Sequence, residues 1–529
     1  MNNKNSQKLV VFFLISISNL LFANVYYMAT AGDDNNSGVT QNESWETFSY
    51  AFSQMSASDE LILLPGDYPT SINGHIGWTG DNSGQPPSGV SAQARTIVRS
   101  RDGAGSVHVI QDNNGETNAQ YDSALYLGRS FEKAMFIKIE GISFEGGGSL
   151  SNTQSVYIKN CGFLPGPTGL DGFGIGVPAE EISNTDNLIE DVWITGDGSR
   201  IAASNYRADN NVWRRIVITS DGCGSCTSSG NYEVGDTTYN SKNVYKQNVI
   251  IVDRKFDVNA EGGYADFATA QHDANFAETP NENNHWQGTI SINSQDSAYH
   301  HEADDSNGPS NLLENIVAVG HHGQGLNLGG DQDAILEYFT FIPDGYVTSH
   351  VRRYDNSINT TTRFGIIRGD ANWSLVRPGS CDDIFSFGTW GETQVTGGNC
   401  NNIINNKDPF NAGLLYPLRV ESGSDLAQMV KGEHRIGAEI IYQTGVEGSF
   451  YGDPGFDVLT TVPLWPWPNE SVIRDEFCAA AVREFCNYVP INGGMTGSLT
   501  SYIWEWFGHA MPDDIYAENP DVIFVNSFE

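Results

Sequence analysis

Basic residues are scarce: 28 Lys and Arg stand against 65 Asp and Glu, a formal net charge of −37. Duplex binding depends on cations that neutralise phosphates, so this balance excludes nucleic acid as a partner. An acidic surface suits salty surroundings in which divalent cations act as counterions. Stretches rich in Ala, Leu, Glu and Lys are few, which excludes a mainly helical protein, and beyond the first residues no apolar run is long enough to span a bilayer. Cysteine is sparse at seven residues. What is plentiful is glycine, at 57 residues, with aromatics at 11%, a composition that points to β structure.

Lys4 and Lys8 precede an apolar run from Leu9 to Phe22, broken by Ser16, Ser18 and Asn19 and closed by the small residue Ala23. The run is shorter than the roughly 20 residues of a spanning helix. Residues 1–23 therefore read as a signal peptide, and the product is expected to be secreted, soluble and monomeric.

In an oxidising compartment local disulfides are the default, pairing Cys223 with Cys226, Cys381 with Cys400, and Cys478 with Cys486. The last pair cannot close across one continuous helix, because eight residues at a helical rise lie about 12 Å apart. Either that helix breaks or the bond is absent. Cys161, the odd one out, reads as a small buried apolar side chain.

A self-similar element recurs. VWITGDG at 192–198 matches IVITSDG at 216–222, and the first apolar positions of the copies are Ile142, Cys161, Val192, Ile216, Val249, Ile290, Val317, Phe339 and Phe364. The steps are 19, 31, 24, 33, 41, 27, 22 and 25 residues. Periods of this size mean stacked repeats, and no helical pattern alternates with the strands, which leaves a β-solenoid. Asn187, Asn211, Asn243, Asn248 and Asn315 fit turns whose amides form ladders from coil to coil, and fit ordinary surface turns as well. Trp45, Phe48, Phe52 and Met55 follow Ser44 at helical spacing and read as a front cap. Two short helices, Ile473 to Phe485 and Ser498 to Phe507, read as the cap at the back.

The opening YYMATAGDDNNSG, followed by SWETFSYAF and DELILLPGDY, resembles the start of secreted right-handed parallel β-helix proteins of the pectate-lyase-like superfamily. The resemblance runs from about Val25 to Tyr442 and implies the fold. DPGFDVLTTVPLWPWPNESVIRDEFC with SLTSYIWEWFG resembles a terminal region of secreted bacterial β-helix proteins of unassigned function, and IFVNSFE a tail of exported bacterial proteins. The expected organisation is a signal peptide at 1–23, a β-helix with a cap helix at 24–450, and a capping extension at 451–529.

The longest steps place residues 221–243 and 254–285 as neighbouring insertions, and insertions in a solenoid build its binding face. Lyase chemistry on an acidic polysaccharide needs a cation on the uronate carboxylate and a base for the adjacent C–H proton. Arg254, Lys255, Arg352 and Arg353 are candidate bases or carboxylate clamps. Asp253, Asp257, Asp266, Asp304 and Asp305 offer the oxygen ligands that calcium takes. In β-helical polygalacturonases, which hydrolyse, the resemblance is limited to Asp304 with Asp305 and to GHHG at 320–323, which contains His322; their Asn-Thr-Asp and Arg-Ile-Lys motifs are missing. The His300–His301 and His321–His322 pairs fall one coil apart and read as a hydrogen-bonded ladder or an imidazole cluster. Trp213, Trp286, Trp373 and Trp390 are candidate stacking platforms for sugar rings. The expected activity is a polysaccharide lyase, with hydrolysis and noncatalytic glycan adhesion as the alternatives.

Overall fold

The computed structural model describes residues 23–77, 82–112, 123–128, 133–165, 172–176, 184–196, 201–220, 233–239, 241–254, 264–270, 282–293, 297–302, 311–321, 325–329, 334–343, 351–353, 361–368, 380–382, 385–387, 399–401, 408–429, 434–480 and 483–516. Among them nearly every strand pair is parallel, in a 21-stranded sheet, a nine-stranded sheet and a short four-stranded one. The chain winds as a right-handed parallel β-helix. No helix among the described residues is long and apolar enough to cross a membrane.

Each coil crosses the long sheet as a strand bent in the middle. Leu188–Thr195, Val212–Thr219, Tyr245–Val252, Asn311–Val319 and Ala334–Ile342 each carry one left-handed residue: Asp191, Arg215, Asn248, Asn315 and Tyr338, with φ between 51° and 57°. This bend divides the strand into a first and a second arm. Another left-handed residue, Asp186, Asn210, Asn243 or Asn283, turns the chain into the first arm. Asn tolerates this region because its short polar side chain bonds locally. Here it bonds across coils: Asn210 Nδ2 donates to Asp186 Oδ1 at 3.1 Å, Asn243 Nδ2 to Asn210 Oδ1 at 2.8 Å, and Asn283 Nδ2 to Asn243 Oδ1 at 2.7 Å. A second, buried ladder joins Asn187 Nδ2 to Asn211 Oδ1 at 3.1 Å.

The register agrees with the repeat. Val192 pairs with Ile216, Ile216 with Val249 and Ile290 with Val317. Elsewhere it is one residue off: Ile290 pairs with Ile250 and not Val249, Phe339 with Ile316 and not Val317, and Ile366 with Thr340 and not with Phe341, the partner that aligning Phe339 with Phe364 requires. A slip of one exchanges the two faces of a strand. Hydrophobicity could not detect it, because both faces of the second arm are apolar. Ile216, Ile218, Val249 and Ile251 fill the lumen of the coils, while Val217, Ile250, Val252, Ile290, Ile292, Val317 and Val319 form a separate cluster on the outside.

That outer cluster is covered by the C-terminal part of the chain. Residues 408–516 lie along the flank of the solenoid, which corrects the expectation of an end cap that starts at 451: Leu414, Leu418, Ile440, Trp465, Phe477, Phe485, Ile503 and Trp504 pack on the second arms. Polar anchors fix the clasp. Ser143 Oγ and Trp193 Nε1 both donate to Glu476, and Tyr502 Oη and the Phe485 N–H donate to Asp253 at 2.7 and 2.8 Å. The helices Glu470–Ala480 and Glu484–Asn487 are separate, and this break closes the Cys478–Cys486 disulfide over a Cα–Cα distance of 5.7 Å. Cys161 is buried, and burial pushes its thiol up to about 12. At the front, the helix Phe48–Gln54 buries Phe48, Ala51 and Phe52, capped by Thr47 and not by Ser44.

On the first arm the clasp hairpin, in which Tyr442–Thr444 pairs antiparallel with Leu459–Pro463, seals a charged network. Arg214 Nε donates to Gln247 and Nη1 to Glu190, each at 2.9 Å, and its remaining N–H groups reach the carbonyls of Val446, Ser449 and Phe456. All five guanidinium donors are used. Burial pushes the Glu190 carboxyl up, but Arg215, Arg214 and the Tyr157 hydroxyl outweigh it and hold the group below its ordinary value of 4.5.

Two predictions follow from these contacts. Asn243→Ala loses two ladder bonds and strains a left-handed residue, at about 2–4 kcal/mol, whereas Asn243→Gly loses the bonds alone, at about 1–2 kcal/mol; equal losses in chemical denaturation would contradict the strain. Glu190→Gln leaves Arg214 poorly compensated and costs about 3–5 kcal/mol at neutral pH. Because the folded-state pKa is depressed, the wild-type advantage is complete above the ordinary value of 4.5 and shrinks as pH falls through the lower folded value. Denaturation of both proteins across that range measures the gap.

Candidate functional site

With the second arms and part of the first covered by the clasp, the nine-stranded sheet is where the candidate residues gather. Its strands Tyr264–Ala270, Ser297–Glu302, Leu326–Gly329 and Val351–Arg353 are neighbours in consecutive coils. Two register lines run along it. One passes through Ser204, Thr237, Ala268, His300, Asn327 and Arg352, and the other through Asn205, Thr238, Thr269, His301, Leu328 and Arg353. In the second line the described side chains of Asn205 and Thr238 are buried, and Leu150 and Ile175 continue it in the core. In the first, Ser149 and Ser204 are half-buried. The His300–His301 doublet is therefore split between the two register lines, His300 falling in line with Arg352 and His301 with Arg353.

Asp266 lies in Tyr264–Ala270. Lys255, Asp257, Asp304, Asp305, His322, Cys223, Cys226, Trp373 and Trp390 lie outside the described residues. In sequence, 255–263 leads into Tyr264–Ala270 and 303–310 follows Ser297–Glu302, so both segments flank the same pair of strands. Cys381 and Cys400 are register partners in adjacent coils.

Several candidates are corrected. Trp213 and Trp286 are 1% and 3% exposed and stand in the lumen line Ile189, Trp213, Lys246, Trp286, Leu313, so neither ring can meet a sugar. Arg254 is 2% exposed and cannot serve a polymer as base or clamp. Asp253 is no cation ligand, since its two oxygens accept from Tyr502, Asn293 and the Phe485 N–H. His321 is fully buried.

Two constellations escaped sequence reasoning. Between Trp213 and Trp286, Lys246 Nζ donates to Asp236 Oδ1 at 2.7 Å inside the lumen. Outside, beyond the clasp hairpin, Gln287, Glu314, Glu337 and Arg363 occupy one line of the first arm. Burial first, then the neighbouring Glu337, raises the Glu314 carboxyl, while Glu337 is paired with Arg363, and Tyr338 Oη meets His434 Nδ1 at 2.8 Å. The signal for this line was present: in every repeat a charged or amide residue directly precedes the left-handed bend residue.

No family model matches the chain, and no curated protein matches it. Among solved structures it is similar to pectate lyase Pel9A (14% identity, TM-score 0.34, covering 78% of this chain and 88% of that one). It is also similar to a rhamnogalacturonan lyase (14%, 0.27, 72% and 84%) and to XylC in complex with xylose (9%, 0.33, 70% and 76%). These likenesses concern the fold.

The lumen placement of the tryptophans predicts that Trp286→Ala lowers stability by about 3–5 kcal/mol. Thermal unfolding measures the loss, and glycan affinity of the protein that stays folded is expected to be unchanged.

Proposed function

We propose that the protein is an exported polysaccharide lyase that binds an acidic glycan lengthwise on the nine-stranded sheet and cleaves it by β-elimination. The observation that carries this reading is the line His300, Asn327 and Arg352, three polar positions in three successive coils. Coils repeat at about 4.8 Å, so a linear polymer with its own short repeat meets the same line again and again. In sequence, 255–263 and 303–310, which carry Lys255, Asp257, Asp304 and Asp305, adjoin two strands of that sheet, and this adjacency supports the reading.

In this reading Arg352 clamps the uronate carboxylate and Lys255 removes the C–H proton beside it. A chain with a net charge of −37 repels a polyanion, and a divalent cation between them relieves the repulsion. Carboxylate oxygens are the donors calcium takes, so Asp257, Asp266, Asp304 and Asp305 would hold it, and the ion would acidify the reacting C–H.

Incubation with a panel of acidic polysaccharides is expected to release unsaturated uronates, followed by ultraviolet absorbance, and to stop when a chelator is added. Lys255→Ala should lower turnover by about 10²–10⁴-fold, and Arg352→Ala should raise KM. New reducing ends without ultraviolet absorbance would replace elimination with hydrolysis. Glycan binding with neither signal would make the sheet a noncatalytic adhesive face.

A further inference from the structure

Among the described residues the lumen pair is a constellation that the proposed activity does not use. Lys246 and Asp236 expose 0% and 2% of their side-chain surface and are in contact at 2.7 Å. They come from opposite walls of the coil: Lys246 from the long sheet, Asp236 from the nine-stranded one. The Trp213 ring is centred 3.9 Å from Nζ and holds the amine in place. Two residues further along the same strand, Thr238 is 1% exposed and its hydroxyl has no hydrogen-bond partner.

We propose that Lys246 and Asp236 are the reactants of a spontaneous intramolecular amide bond that ties the two walls of the solenoid together. Desolvating two charges costs several kcal/mol each, and a single contact repays this poorly. Burial pushes the Asp236 carboxyl up and the Lys246 amine down, each only partly offset by the other. Both groups are thereby moved toward their neutral forms, and a neutral amine beside a carboxylic acid is an amide precursor. Nζ attacks Cγ, the Nζ–Cγ bond forms, and the Cγ–OH bond breaks. A proton from Nζ passes to the departing hydroxyl, and one water leaves. Nothing is oxidised or reduced. Fixed geometry supplies the rate, since well-oriented intramolecular reactants reach effective concentrations of about 10⁵–10⁸ M. The dry lumen then protects the product from hydrolysis.

The test is a peptide map of the full-length protein, folded, then denatured, reduced and digested with trypsin. A free Lys246 is a cleavage site and yields peptides 216–242, 243–246 and 247–254. An amide at Lys246 blocks that cut, so the expected main product is a branched species of 216–242 joined to 243–254, lighter by one water than its two parts. The unmodified reduced mass, with peptides 243–246 and 247–254 as the sole products, would overturn the proposal. Lys246→Arg and Asp236→Ala should each abolish the branched species. Its persistence in Asp236→Ala would overturn the assigned acceptor. Because the decisive measurement is made on the wild type, a variant that fails to fold leaves the result intact.

Discussion

The structure depends on a strand segment that is apolar on both faces. In an ordinary half-buried strand, one face meets water and alternates accordingly. The second arm of each coil does not alternate: Ile216 and Ile218 face the lumen, and Val217 between them faces outward into a second hydrophobic cluster. Burying the outer Val217, Ile250, Val252, Ile290, Ile292, Val317 and Val319 contributes on the order of 10 kcal/mol. That is comparable to the whole net stability of a typical domain. The solenoid cannot leave this wall bare, and residues 408–516 exist in the fold to cover it.

From that cover follows a division of labour around the coil. The left-handed bend separates the apolar second arm from a first arm whose outer line is charged or amide, from Glu190 and Arg214 under the hairpin to Glu314 and Glu337 beyond it. Buried charges are tolerable under the hairpin because every guanidinium donor of Arg214 finds an acceptor. The clasp occupies the flank formed by the second arms, and the nine-stranded sheet forms another wall of the coil.

The repeat was legible because apolar runs return at the spacing the pairing uses, as Val192 with Ile216 shows. The Asn ladders were legible only as one of two readings, since a turn Asn has the same composition whether its amide meets water or the next coil. Register failed by one residue at Ile290 and Phe339, where apolar side chains on both faces remove the signal that distinguishes them. The same two-sided runs, VWIT, IVIT and VIIV, announced a covering layer, which the reading of the C-terminal helices as an end cap overlooked. Trp213 and Trp286 were misjudged because an aromatic residue looks alike in sequence on either face, and its partners in the line, Ile189 and Leu313, lie a coil or more away. The Cys478–Cys486 alternatives were posed correctly by helix geometry, and only the break after Ala480 decided between them.

The clasp has a consequence for the order of events in biosynthesis. Ser143 and Glu476 are separated by 333 positions, and Asn160 and Asn469 by 309, yet each pair is in contact. Coils that leave the ribosome early must therefore wait, with a greasy flank open, until the segment that covers them has been made. A polypeptide interrupted before residue 408 would have the described windings and nothing over their outer cluster. Such a product is sticky and is a ready target for proteolytic disposal.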